Sequence, residues 1–100
     1  MNEVYRALAH PARRKILSLV KQRAHAAGEL AEALDIANST LSGHLNTLKM
    51  ADLVTMDRQG TTLLYRANLS VMEEAFAELI ELFGKLETEP TTTKGENPAS

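Results

Sequence analysis

One hundred residues, 44% hydrophobic and 24% charged, suggest one domain with a modest core, small enough that a second subunit would help to bury apolar surface. The chain has no cysteine, which excludes disulfides, thiolate metal sites and thiol redox sensing. The formal charge of -2 is unevenly placed. Residues 1–69 hold nine Lys/Arg against six Asp/Glu, and residues 70–100 hold two Lys against seven Glu, so a basic face for an anionic partner coexists with an acidic end.

No apolar run approaches the roughly 18 residues that span a membrane, and the N-terminal stretch MNEVYRALAHPARRK lacks a signal-peptide apolar region. The expected location is the cytoplasm, with no membrane partner.

In chain order, residues 2–8 place Val4, Tyr5 and Leu8 on one side of a short helix. His10-Pro11 ends it, because the residue before proline avoids the α region while Pro11 suits the first turn of the next helix. That helix covers 11–22 with Ala12, Ile16, Leu19 and Val20 inward. Arg13, Arg14 and Lys15 stand in its first turn, where positive charge opposes the helix dipole. A phosphate or a carboxylate, such as a glutamate within the domain, is the expected partner.

The chain changes direction over 23–27, through a short extended piece, and a third helix covers 28–34 with Leu30, Ala31 and Leu34 inward. A turn at 35–37 anchored by Ile36 leads into the stretch on which the rest depends, ANSTLSGHLNTLKMADLV. Leu41, Leu45 and Leu48 form its inner face. Its outer face carries Asn38, Ser39, Thr40, Ser42, Gly43, His44, Asn46 and Thr47, followed by Lys49. An ordinary solvated helix face favours Glu, Lys, Gln and Ala, the better helix formers, and these are nearly missing over two turns. Short donors and acceptors without bulk suit a helix that lies in the major groove and reads base edges. Two short helices joined by such a turn predict a helix-turn-helix, with Asn38 as the N-cap because Ala37 has no side-chain oxygen.

The period then switches from helical to alternating. Residues 53–58 and 61–66 are β-rich and flank Gln59-Gly60, so they predict a hairpin turning at those two residues. Such a hairpin is a wing, with Arg58 at its tip and Gln59 and Thr61 beside it, placed for a minor groove or a phosphate. The last helix is expected over 70–86, capped by Ser70 with Glu73 completing a capping box. Leu69, Met72, Phe76, Leu79, Phe83 and Leu86 step alternately by three and four, the seam of a helix pair. This stripe is too long for so small a domain to cover, and a homodimer explains it. Residues 88–100, with two prolines, a glycine and no large apolar side chain, are expected to form a disordered tail beyond a 1–87 domain.

The fold class so predicted is mainly α with a small β-hairpin, a winged helix-turn-helix. The motifs Ala7-Leu8-Ala9-His10-Pro11-Ala12-Arg13-Arg14-Lys15-Ile16-Leu17, Gly28-Glu29-Leu30-Ala31, Leu41-Ser42-Gly43-His44-Leu45 through Leu48, Ala51-Asp52-Leu53-Val54, and Arg58-Gln59-Gly60 leading to Tyr65 resemble the ArsR-type winged-helix repressors of bacteria and archaea. The resemblance implies a winged helix-turn-helix with a dimerisation helix at each end, so that Val4, Tyr5 and Leu8 of the first helix join the interface of a homodimer that binds a palindromic operator and blocks transcription until an effector, a small molecule or a protein, releases it. Metal-sensing members often begin the third helix with two cysteines, where this chain has Ala26 and Gly28, and others bind metal through His and Asp pairs on the last helix, which has neither residue here. His10, His25 and His44 make no four-ligand set, so no metal or cofactor is expected. The chain looks more like the metal-independent members, including the SdpR-type autorepressors.

The functional expectation is a DNA-binding regulator in which Asn38, Ser39, Thr40, Ser42, Gly43, His44 and Asn46 read or approach bases while Lys49, Arg58 and the Arg13–Lys15 cluster hold phosphates. His44 either meets a phosphate or stays on the core side, and its titration would make binding depend on pH between about 6 and 7. The alternatives are a winged helix that binds protein partners in place of DNA, and a metal-responsive repressor with an unrecognised His/carboxylate site. Enzymatic function is not expected, since the chain has no Gly-rich phosphate loop and no nucleophile–base pair.

Overall fold

The computed structural model describes residues 2–87, with side-chain surroundings over residues 2–84. The order is α1 (Asn2–Leu8), α2 (Pro11–Gln22), β1 (His25–Ala26), α3 (Ala27–Leu34), α4 (Asn38–Met50), β2 (Val54–Gln59), β3 (Thr62–Ala67) and α5 (Leu69–Glu87). The Leu86 side chain and the tail expected over 88–100 lie outside the described residues.

Helices α1 to α4 surround one core in which Ile16, Leu30, Leu41, Leu48 and Leu53 have almost no exposure. Both members of the helix-turn-helix end in the same way. After α3 the Ile36 N–H reaches Ala31 O (3.1 Å) and the Asp35 N–H reaches Glu32 O (3.2 Å); after α4 the Leu53 N–H reaches Leu48 O and the Asp52 N–H reaches Lys49 O, both at 2.9 Å. Each is a Schellman motif with an aspartate held left-handed, Asp35 at φ 55° and Asp52 at φ 60°, where glycine would be unstrained. The apolar residue that follows, Ile36 or Leu53, packs onto the core or within it and fixes the exit direction.

The sheet has the order β1-β3-β2 with antiparallel pairing throughout. Gln59 pairs with Thr62, so the two-residue connection is Gly60-Thr61, one position later than the pattern predicted. Gly60 has φ 64° and Thr61 is not left-handed, the combination of a type II′ turn. The ribbon is anchored at its base by buried Val54 and Tyr65, and beyond Val54 every residue of β2 is exposed. The wing therefore projects from the body, with the Arg66 Nε donating to Asp57 Oδ2 across it at 3.2 Å.

Two predicted caps differ. Helix α4 begins one residue earlier than the side-chain chemistry suggested: Ala37, at φ -67° and ψ 150°, is the N-cap and offers no side-chain acceptor, while Asn38 is already helical. For α5 the cap is Asn68, whose Oδ1 accepts from the Val71 N–H (3.4 Å) and whose carbonyl accepts from the Met72 N–H (3.1 Å). Ser70 lies inside the first turn, two residues past the cap, and its spacing to Glu73 only imitates a capping box.

Candidate nucleic-acid interface

Leu41, Leu45 and Leu48 pull α4 onto the core, and the leucine spacing leaves Asn38, Ser39, Thr40, Ser42, Gly43, Asn46 and Lys49 exposed on the opposite face. A Cβ built on Gly43 meets nothing within 4 Å, so this glycine serves the outer surface and not the core. The Thr47 hydroxyl is turned back onto Gly43 O (3.1 Å), which leaves Asn46 as the one side-chain amide in the middle of the face. The Asn46 Nδ2 touches only the soft Met50 Sδ at 3.8 Å. With Ala37 as cap, the Asn38, Ser39 and Thr40 amides at the positive end of α4 have no side-chain acceptor. In the wing, Arg58, Gln59 and Thr61 are all exposed at and beside the turn.

His44 sits apart from this face. It is half-buried, its ring centroid lies 4.5 Å from that of His10, and its Nδ1 is 3.3 Å from Arg13 Nη1. A guanidinium has no acceptor, so His44 Nδ1 must accept and its ring proton sits on Nε2. Burial, followed by the charges of His10 and Arg13, lowers its pKa from the usual 6.5. The window of pH 6 to 7 expected for an ordinary histidine therefore moves downward, and the ring is neutral near pH 7.

Among the described residues Arg13 and Arg14 bond to backbone carbonyls and to no glutamate. Arg13 donates through Nε to Ala7 O (2.8 Å) and through Nη2 to Arg6 O (3.2 Å), and Arg14 donates through Nη1 to Leu8 O (2.7 Å). These are the terminal carbonyls of α1, the negative end of its dipole. The two arginines thus cap the helix before their own, a long-range role that periodicity cannot reveal. Lys15 remains exposed.

Helix α5 is packed on the core through its first turns, by Val71, Met72 and buried Ala75. Beyond them Phe76 is 64% exposed, Phe83 55%, and Ile80 and Leu82 52% each. Leu8, Leu53, Leu69, Met72, Phe76 and Leu79 line a groove of about 470 Å³ between this helix and the body, with Lys21 and Glu73 also lining it. Tyr5 donates to Glu78 Oε1 (3.1 Å), tying α1 to α5, whereas Val4 is buried in the protomer's own core. No helix among the described residues is long and apolar enough to cross a membrane, and no group of three or more metal-ligating side chains gathers there.

A polar helix exposed beside a projecting ribbon on a small helical core defines a winged helix-turn-helix DNA-binding protein. A family described as a helix-turn-helix domain matches residues 8–57. The transcriptional repressor SdpR of Bacillus subtilis is 35% identical over 85 residues, 85% of this chain and 94% of its own. The homodimeric winged helix-turn-helix DNA-binding domain of Mb0332 from Mycobacterium bovis superposes with a TM-score of 0.69 at 29% identity, covering 92% of this chain and 86% of that one. An ArsR-like regulator from Rhodococcus sp. RHA1 shares the fold, with a TM-score of 0.80 at 24% identity over 86% of this chain and 79% of that one. The chain belongs to the ArsR-type family of winged-helix transcriptional regulators.

Proposed function

We propose that this protein is a homodimeric repressor that binds a palindromic operator without needing a metal. The carrying observation is the outer face of α4, where Asn38, Ser39, Thr40, Ser42, Gly43 and Asn46 are exposed and unbulky. In this reading the two α4 helices of a dimer enter successive major grooves about 34 Å apart on one face of the duplex. Asn46 pairs with adenine once its weak contact to Met50 gives way, and Gly43 lets the backbone approach the base edges. Lys49, Arg58 and Lys15 take phosphates, and so do the uncapped amides at the start of α4, an acceptor site that a capping side chain would otherwise fill. Gln59 and Thr61 accompany Arg58 at the wing. His44 acts from behind the face, by fixing how α4 lies on α1 and α2.

The exposed seam of α5 supports the dimer. Tyr5, Phe76 and Phe83 are exposed, and half-buried Leu8, Met72 and Leu79 line the groove beside Phe76, which leaves apolar area for a second copy to cover. Release of the operator then falls to a small-molecule or protein effector that acts on this interface. The test is a gel shift on DNA upstream of the coding sequence, against an unrelated fragment, with and without chelator. A specific complex that survives the chelator is expected. Loss of the complex on chelation would replace this reading with a metal-responsive one, and no specific complex would favour an interaction module.

A further inference from the structure

One polar cluster lies behind the reading face of α4 and not on it. His10, Arg13 and His44 meet where the α1–α2 connection, α2 and α4 come together, and every contact among them fixes a proton. His10 Nδ1 accepts the Ala12 N–H at 3.1 Å and so caps α2. His44 Nδ1 accepts from Arg13, and Arg13 in turn holds the Arg6 and Ala7 carbonyls of α1. Both rings therefore use Nδ1 as an acceptor facing a donor, and they lie 4.5 Å apart. A proton added at His44 Nδ1 sets donor against donor and places a new cation beside the Arg13 guanidinium.

We propose that His10, Arg13 and His44 form a proton-sensitive joint that sets the pose of α4 on α1 and α2, so that acidification loosens the recognition helix and weakens DNA binding. The joint rests on the DNA-reading role assigned to α4 above. The charged and titratable groups that act on His44 are His10 from the α1–α2 connection and Arg13 from α2; α1 faces the joint with carbonyls, and among the described residues no carboxylate acts on the ring. Nothing there compensates an added positive charge. The lowered pKa of His44 agrees with the geometry and puts the loss below pH 6.5. Because α1 also touches α5 through Tyr5 and Glu78, the joint connects the dimer side of the molecule to the reading face.

His44→Asn is the discriminating variant, since an asparagine oxygen can take the place of Nδ1, accept from Arg13 and yet not titrate. Operator affinity of wild type and variant is measured by fluorescence anisotropy at fixed salt from pH 7.5 to 5.0, with the histidine ring protons followed by NMR in the same range. If only dimers with both joints unprotonated bind, wild-type affinity falls by up to about a hundredfold per pH unit below the pKa of His44, one factor of ten per protomer, and the variant, equal to wild type at pH 7.5, falls less. Parallel pH profiles for the two proteins would overturn the proposal. So would affinity that rises on acidification only in wild type, which would make His44 a phosphate ligand. Absence of specific binding at pH 7.5 in wild type would instead defeat the DNA reading itself, and the NMR titration would still decide the joint: it stands if His44 titrates below 6.5 together with shifts along α4, and fails if the ring titrates alone. Should His44→Asn fail to fold, Arg13→Lys, which keeps the charge but loses the fork to Ala7 and Arg6, is expected to bind more weakly at pH 7.5. Unchanged binding by a folded Arg13→Lys would count against the joint.

Discussion

Replacing Phe76 by serine removes the most exposed aromatic ring of α5. About 64% of its surface faces outward, which for a side chain of roughly 200 Å² is about 130 Å² of apolar area. If a partner covers half of that, burial at about 25 cal/mol per Å² contributes about 1.6 kcal/mol per ring, and a symmetric dimer counts it twice. The dimer dissociation constant should then rise by roughly two orders of magnitude. The inward third of the ring stabilises the protomer by no more than about 2 kcal/mol, so the far-UV circular dichroism of the variant should remain helical. Sedimentation equilibrium over a micromolar range would read the change directly. A dissociation constant within threefold of wild type, or a wild type that is monomeric throughout, would refute the assignment of α5 as the pairing surface.

Other substitutions separate stability from recognition. Ala37→Ser supplies the missing acceptor at a backbone already extended for an N-cap, and should raise unfolding free energy by about 1 kcal/mol in urea titrations. Loss of stability would mean that the entry to α4 is set by the turn before it. The folded-state pKa of His44 lies below its unfolded value near 6.5, so its contribution to stability is present above pH 6.5 and is lost as pH falls through the folded value. The urea midpoint should therefore drop between pH 7.5 and 5.5, and drop less in His44→Asn; an equal drop would assign the effect elsewhere. Asn46→Ala should relax sequence preference by about 1–3 kcal/mol at one base pair of each half-site, whereas Lys49→Ala should weaken all sequences alike and shallow the salt slope by about two, one phosphate per protomer. Swapped behaviour in a binding-site selection would reverse their roles.

The helices and the wing were legible because their signals are local. Leucines at three- and four-residue spacing place α4 on its core side, and the alternating runs around Gly60 give the ribbon, with only the turn displaced by one residue. The caps were less legible. Asn38 and Ser70 look like better caps than Ala37 and Asn68, yet the chain enters each helix where tertiary packing brings it, and Ser70 owes its appeal to a chance spacing. The Arg13 and Arg14 contacts were not visible at all. Their partners are backbone carbonyls six or seven residues away across a proline-started turn, and a carbonyl has no signature in the sequence. The same holds for His44, whose residue type suits a phosphate as well as a core, and which only the approach of α2 and the α1–α2 connection turns inward. Ala7, Leu17 and Ala75 also joined the core unannounced, since small or off-stripe residues give little periodic signal.

The central claim is that α4 reads DNA from two protomers at once, and hydroxyl-radical footprinting of wild-type protein on the fragment upstream of its own coding sequence tests it most directly. Two protected segments are expected on one face of the duplex, related by a dyad and about one helical turn apart, with log affinity falling against log salt by about 0.9 per phosphate contacted. A single protected segment, or protection without any dyad, would contradict it.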